Sequence, residues 1–338
     1  MRLILSATAI GLCLSLPAHA AGKLNLYLWA ESVPNELIEK FAKEHDVDVS
    51  VDGFTSNEDM LTKLQAGASG YDVSSASQHF LRIMIDEGLL DNFNANELAA
   101  YDNIDEQWRN QWWDETQEYS IPYAYGTAGF VVNRDHYDGP VDSMKYFFEP
   151  EGDLVGKIAM LSYPDEVVGA AQLYLGVPFC TEDASEMKKV LDLLEAQKPA
   201  VRTYSSDNIA SRLASGEVFV HFWWDGETVR AIEDGANLEY VMPKEGLVGW
   251  IDSFIIPNGA PNRENAIKFI EFMSEPENAT IQTNYYAHPS PMKVIEEDLA
   301  FTPENAPALY PDVPIEMSRT CSPEAQDLVT RVWTQLLQ

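Results

Sequence analysis

Basic residues are scarce in this chain. Against 54 Asp and Glu there are only 22 Lys and Arg, and the formal net charge is -32. A surface of that sign repels nucleic acid phosphates and anionic lipid, so nucleic acid is excluded as a partner, while cationic solutes are drawn toward it. The same acidity also serves solubility, so charge alone does not select a function. Cysteine is nearly absent: of three, Cys13 falls in the first apolar stretch, leaving Cys180 and Cys321. No CxxC pair and no Cys/His cluster occurs, which argues against a structural zinc site. The signatures GxSxG, GxGxxG, HExxH and GxxxxGK before Ser or Thr are missing too, so the familiar nucleophilic, nucleotide-binding and zinc-hydrolase motifs give no support for an enzyme. Six histidines are scattered, His288 among them, and a lone histidine is ordinarily structural or solvated. A glycosidase stays formally compatible, because paired carboxylates leave no strict motif. No cofactor is implied.

Long apolar runs are limited to one. Leu3 to Leu16 is almost unbroken, with Arg2 before it and Ala18-His19-Ala20 behind it. That is the pattern of a secretory signal spanning 1–20 and cleaved after Ala20, and the run is too short to cross about 30 Å of hydrocarbon. Leu12 is too bulky for the position before a lipid-bearing cysteine, which leaves Cys13 a passive part of the signal. Removing 20 residues from 338 leaves 318, and losing Arg2 takes the charge from -32 to -33. An exported chain of that size exceeds what one core usually supports, which predicts two lobes. In an oxidising compartment Cys180 and Cys321 form either one long-range disulfide or two buried thiols.

The chain then opens with Leu24-Asn25-Leu26-Tyr27-Leu28-Trp29, the period-two pattern of a half-buried strand. Pro34 suits a first helical position, with Leu37, Ile38 and Phe41 on one face. Val47-Asp48-Val49-Ser50-Val51 alternates again, and Ser56 before Met60, Leu61 and Leu64 resembles a capped amphipathic helix. Downstream, 158–161, 218–222, 238–241 and 253–256 read as strands and 184–196, 226–235, 262–274 and 322–336 as helices. Strands alternating with helices imply α/β layers whose ligands sit at the carboxyl ends of the strands. Without repeats or a long linker, the two lobes should pack closely.

Several segments, in order, resemble the periplasmic spermidine/putrescine-binding proteins of ABC importers. They are Leu26-Tyr27-Leu28-Trp29-Ala30-Glu31 with Val33-Pro34, Ser56-Asn57-Glu58 with Met60, Tyr71-Asp72-Val73, and Tyr119-Ser120-Ile121-Pro122-Tyr123 with Gly126 and Asn133. Ser206-Asp207-Asn208, Trp224-Asp225-Gly226, Pro243-Lys244-Glu245-Gly246 and Trp250-Ile251-Asp252-Ser253 with Pro257 complete the set. The resemblance implies the type II periplasmic-binding-protein fold: two α/β lobes on a hinge, with the ligand in the cleft between them. One lobe would be 22–127 plus 253–299, the other 128–252 plus 300–338. It also implies a periplasmic, non-catalytic binder that hands a polyamine to an inner-membrane permease, with monomer the default for a shuttle. A sensor subunit using the same cleft is the alternative, as is a ligand bearing a carboxylate.

A polyamine is an apolar methylene chain studded with ammonium groups. Carboxylates replace the hydration each charge loses, and aromatic faces pack on the methylenes while adding cation–π attraction. By resemblance, the ligand-binding residues are Trp29, Glu31, Ser77, Glu166, Trp224, Glu227, Trp250, Asp252, Tyr286 and Arg319. Trp250 and Asp252 share strand parity, so both can face the ligand, whereas Trp223 has the opposite parity to Trp224 and belongs to the core. Asp165 is the alternative to Glu166. Ser32 and His79 stand where the family commonly has tyrosine, and Arg319 where spermidine binders tend to have glutamine. An arginine there would either pair with Glu31, Glu166 or Glu227 and shorten the site toward a diamine, receive a ligand carboxylate, or be solvated.

Overall fold

A computed structural model describes residues 22–67 and 70–338; the expected signal, 1–20, lies outside the described residues. The first half alternates β1 (Gly22–Trp29), α1 (Asn35–His45), β2 (Val47–Phe54), α2 (Asn57–Gln65), β3 (Val73–Ser77), α3 (Gln78–Asp86) and α4 (Ala99–Asn103). Then come β4 (Ser120–Asn133), α5 (Lys145–Phe148), β5 (Ile158–Met160), α6 (Pro164–Leu175), α7 (Ala184–Gln197), β6 (Val201–Tyr204), α8 (Ile209–Ala214), β7 (Val220–Trp224) and α9 (Asp225–Glu233). The chain closes with β8 (Leu238–Tyr240), β9 (Leu247–Ile255), α10 (Arg263–Met273), α11 (Pro276–Tyr286), β10 (Ile315–Met317) and α12 (Pro323–Leu337). Pro34 caps α1 from just outside it, and the Ser56 hydroxyl accepts the Asp59 amide at the start of α2, as its sequence pattern implies.

The strands join in the order β2-β1-β3-β9-β4-β7-β5-β6, with β10 beside β9 and β8 beside β4. Parallel strands occupy both flanks, and β4 and β9 pair antiparallel through the middle, from Ser120 against Ile255 to Ala128 against Val248. These two strands run through the two largest of three hydrophobic clusters. Ile121, Tyr123 and Phe254 pack with Leu24, Phe41 and Phe269, whereas Phe130, Leu247 and Val248 pack with Phe147, Phe148 and Phe222. Two cores threaded by the same long strands are a two-lobed arrangement in which the crossing strands are the hinge. Pro122, which lacks an amide hydrogen, coincides with a shift of register in β4 before Ala124.

Distant segments are also joined by side chains. The Tyr163 hydroxyl donates to the Thr55 carbonyl, and Thr320 Oγ1 to the His79 carbonyl at 2.6 Å. Cys180 and Cys321 are joined in a disulfide that ties the loop after α6 to the segment before α12. Of the two possibilities the cysteines left open, this is the one the structure adopts.

Candidate functional site

The parallel strands β1, β3 and β7 end at Trp29, Ser77 and Trp224, and all three residues face one cavity of about 780 Å³. A cavity of that size holds a small organic ligand. Helices α3 and α9 begin directly after their strands and α6 just after β5, so three helix N-termini approach the cavity. On their own these ends carry partial positive charge. Asp165 and Glu166 in the first turn of α6, and Asp225 and Glu227 in that of α9, reverse the sign. The lining holds seven carboxylates against a single arginine, Arg230.

Nine of the ten residues singled out from sequence meet here: Trp29, Glu31, Ser77, Glu166, Trp224, Glu227, Trp250, Asp252 and Tyr286. Asp252 is only 3% exposed, and its Oδ1 accepts the Ser77 hydroxyl at 2.7 Å. Ser77 is in turn held by Asn57 Nδ2 at 3.0 Å. Burial pushes the Asp252 carboxyl up to about 6, although the Ser77 hydroxyl and the His288 charge both favour its ionised form. Glu166 accepts the Trp224 indole N–H at 2.9 Å on Oε1, while its buried Oε2 has no partner. Burial takes this carboxyl to about 8; the Trp224 bond opposes the rise and the neighbouring Asp165, Glu227 and Asp252 add to it. Trp29 packs at 4.5 Å on Phe54, and the indole nitrogens of Trp29 and Trp250 are buried without partners. Glu31 sits at the exposed rim in a left-handed turn, φ 61°.

Arg319 is not part of this site. Its guanidinium faces Glu316 at 3.4 Å and lies over Trp112 at 5.8 Å, half exposed and outside the cavity lining, which only Ser318 of that segment reaches. Pairing of Arg319 with Glu31, Glu166 or Glu227 is therefore excluded: the β10 strand alongside β9 directs the following residues past the mouth. Ser32, which stands where the family commonly has tyrosine, is fully buried away from the lining. His79 does line the cavity, 3.7 Å from Asp165, and burial lowers its pKa against the pull of that acid.

One residue that sequence reasoning set aside is central. His288 is 2% exposed and places Nδ1 3.1 Å from Asp225 Oδ1 and Nε2 3.6 Å from Glu227 Oε2. Its ring meets Trp250 and Tyr286 edge-on at 4.8 and 4.7 Å. Burial alone would lower its pKa, but Asp225 and Glu227 outweigh that and hold it at about 9. In return, the Glu227 carboxyl, which burial would raise, is held below its ordinary range by His288. The ring is aimed by a left-handed turn at Ala287, φ 57°, that ends α11. Two glycines make room for it. A Cβ at Gly126 would stand 2.6 Å from Trp250 and 2.7 Å from Asp225 Oδ1, and one at Gly226 would stand 2.4 Å from the imidazole.

Comparison with known proteins agrees with this architecture. Residues 36–309 match the family model of bacterial extracellular solute-binding proteins. The spermidine/putrescine-binding periplasmic protein of Escherichia coli is 33% identical over 315 residues, covering 92% of this chain and 90% of its own. The putrescine-binding periplasmic protein of Pseudomonas aeruginosa is 29% identical over 357 residues, covering 99% and 97%. The spermidine/putrescine ABC transporter substrate-binding protein of Streptococcus pneumoniae, solved with calcium and HEPES, superposes with a TM-score of 0.80 at 26% identity, covering 94% and 98%. Two lobes threaded by shared strands, a cavity at their strand ends and matches along nearly the full length place the chain in the bacterial extracellular solute-binding protein family.

Proposed function

We propose that this chain is the periplasmic substrate-binding component of an ABC importer and that it carries a small polyamine without altering it. The observation that carries the reading is a pair of buried, under-neutralised carboxylates in one cavity. Asp252 is fixed on the β3 side by Ser77 and Glu166 on the β7 side by Trp224. Each is poised to ionise fully when an ammonium arrives, since a cation offsets the desolvation that raises its pKa. Trp29, Trp224, Trp250 and Tyr286 supply flat carbon surface for the methylene chain and cation–π contacts worth roughly 0.5–2 kcal/mol each.

The lobes proposed from sequence, 22–127 plus 253–299 and 128–252 plus 300–338, put Tyr163 and Thr55, and His79 and Asp165, on opposite sides of the cleft. Contacts of this kind favour the closed form that a permease would recognise. A ligand carboxylate has little to meet: both His288 nitrogens face acids, and Arg230 is engaged with the Tyr285 carbonyl and ring. Mass spectrometry of the small molecules released by denaturing purified protein tests the reading. An intact di- or polyamine is expected; an anionic ligand, or an amine turned over on incubation, would contradict it.

A further inference from the structure

The cavity of a receptor for cations contains a cation of its own. His288 stands between two carboxylates, Nδ1 3.1 Å from Asp225 Oδ1 and Nε2 3.6 Å from Glu227 Oε2, close enough for an imidazolium to pair electrostatically with both, although neither contact has the geometry of a hydrogen bond. Asp225 is anchored by donors: Oδ2 accepts the Thr127 amide at 2.8 Å and its hydroxyl at 3.0 Å, and Oδ1 accepts the Gly226 amide at 2.8 Å. The two acids and the imidazolium sum to one negative charge where two carboxylates would give two. The room for the ring is built by Gly126 and Gly226, so the arrangement belongs to the backbone and not to a chance rotamer.

We propose that His288 is a resident cation that takes the ammonium position beside Glu227 and so restricts the ligand to a diamine. This deepens the polyamine reading and rests on it. Glu166 and Asp252 remain free for two ammoniums, and a diamine balances them. A third ammonium lodged at the α9 wall would have to share Glu227 with the imidazolium. A like charge several ångströms away, at an effective dielectric of about 20, weakens binding by at least roughly tenfold. The charges that set the state of His288 are Asp225 and Glu227 on α9, Asp252 on β9 and, through Glu227, Arg230. The selectivity sought at Arg319 thus falls to a residue that lines the cavity itself.

The test is titration calorimetry with putrescine and spermidine on wild type and His288→Gln. Wild type should bind putrescine more tightly, and the variant should raise the spermidine-to-putrescine affinity ratio by about tenfold. A ratio unchanged within error, or a wild type that binds spermidine as tightly, overturns the proposal. Binding of neither amine by wild type would instead sink the polyamine reading. Should the variant fail to fold, ¹⁵N NMR of the wild-type imidazole at pH 7 with putrescine bound remains decisive. Hydrogens on both nitrogens are expected, and a neutral ring overturns the proposal.

Discussion

Replacing Asp252 by asparagine should move binding and stability in opposite directions. The side chain keeps its shape and can still accept the Ser77 hydroxyl, now 2.7 Å away. What disappears is the negative charge, at a position only 3% exposed. An ammonium that loses its partner in such a place is left desolvated, which costs about 2–5 kcal/mol. That corresponds to a dissociation constant raised about 30-fold to several thousand-fold. The free protein responds differently. Its Asp252 carboxyl titrates at about 6, above the ordinary value, so near neutrality the folded state carries an ionised group that the unfolded state holds more cheaply. Asparagine removes that penalty, and the ligand-free variant should melt at or above the wild-type temperature at pH 7.5. The advantage should vanish below about pH 4, where the carboxyl is protonated in both states. Calorimetric titration and thermal melts of the same samples measure both effects. A dissociation constant within threefold of wild type would remove Asp252 from the ligand site. A large drop in melting temperature with affinity intact would make it a structural acid.

Other outcomes follow from the same geometry. Because the Glu166 carboxyl sits at about 8 and an ammonium favours its ionised form, amine binding at pH 7 should release close to one proton, and affinity should rise with pH until about 8. Titrations in buffers of different ionisation enthalpy read this directly, and a flat profile from pH 6 to 8.5 would uncouple Glu166 from the ligand. Gly126→Ala should abolish binding while leaving both cores folded, because the new methyl would displace Trp250 and Asp225; normal affinity would show that the cluster can shift without consequence. Replacing both Cys180 and Cys321 by serine opens a cross-link spanning 141 positions and should cost roughly 2–5 kcal/mol of unfolding free energy, measured by denaturant melts.

Sequence exposes some of these features and hides others for physical reasons. β1 alternates because Leu24, Leu26 and Leu28 share a buried face, β2 alternates in sequence although only Val47 and Phe54 are buried, and α1 and α12 carry plain apolar stripes. β4 leaves no such trace: thirteen of its 14 residues are buried, on both faces, and Pro122, Gly126 and Gly129 interrupt it. The start of β9 is not legible, and its pattern shows only from Trp250 onward, because the strand from Leu247 is buried on both sides too. α11 buries Asn278, Thr280, Gln282 and Thr283, so no hydrophobic stripe marks it. Among the site residues, the tryptophans and acids stand in short motifs that survive as patterns. His288 does not, since its meaning depends on Asp225 and Glu227 brought to it from a distant segment. Arg319 misled for the converse reason: its place in the tail suggested a neighbourhood that the strand beside it does not provide.

The central claim is that the acidic, tryptophan-lined cavity receives a small amine cation. The measurement that bears on it most directly is titration calorimetry of ligand-free protein with putrescine at pH 8, where Asp252 is ionised and Glu166 stands near the midpoint of its titration. The account predicts a single site per chain, saturating well below millimolar amine and lost in Asp252→Asn. No saturable heat up to millimolar concentrations of putrescine, cadaverine and spermidine alike would contradict it.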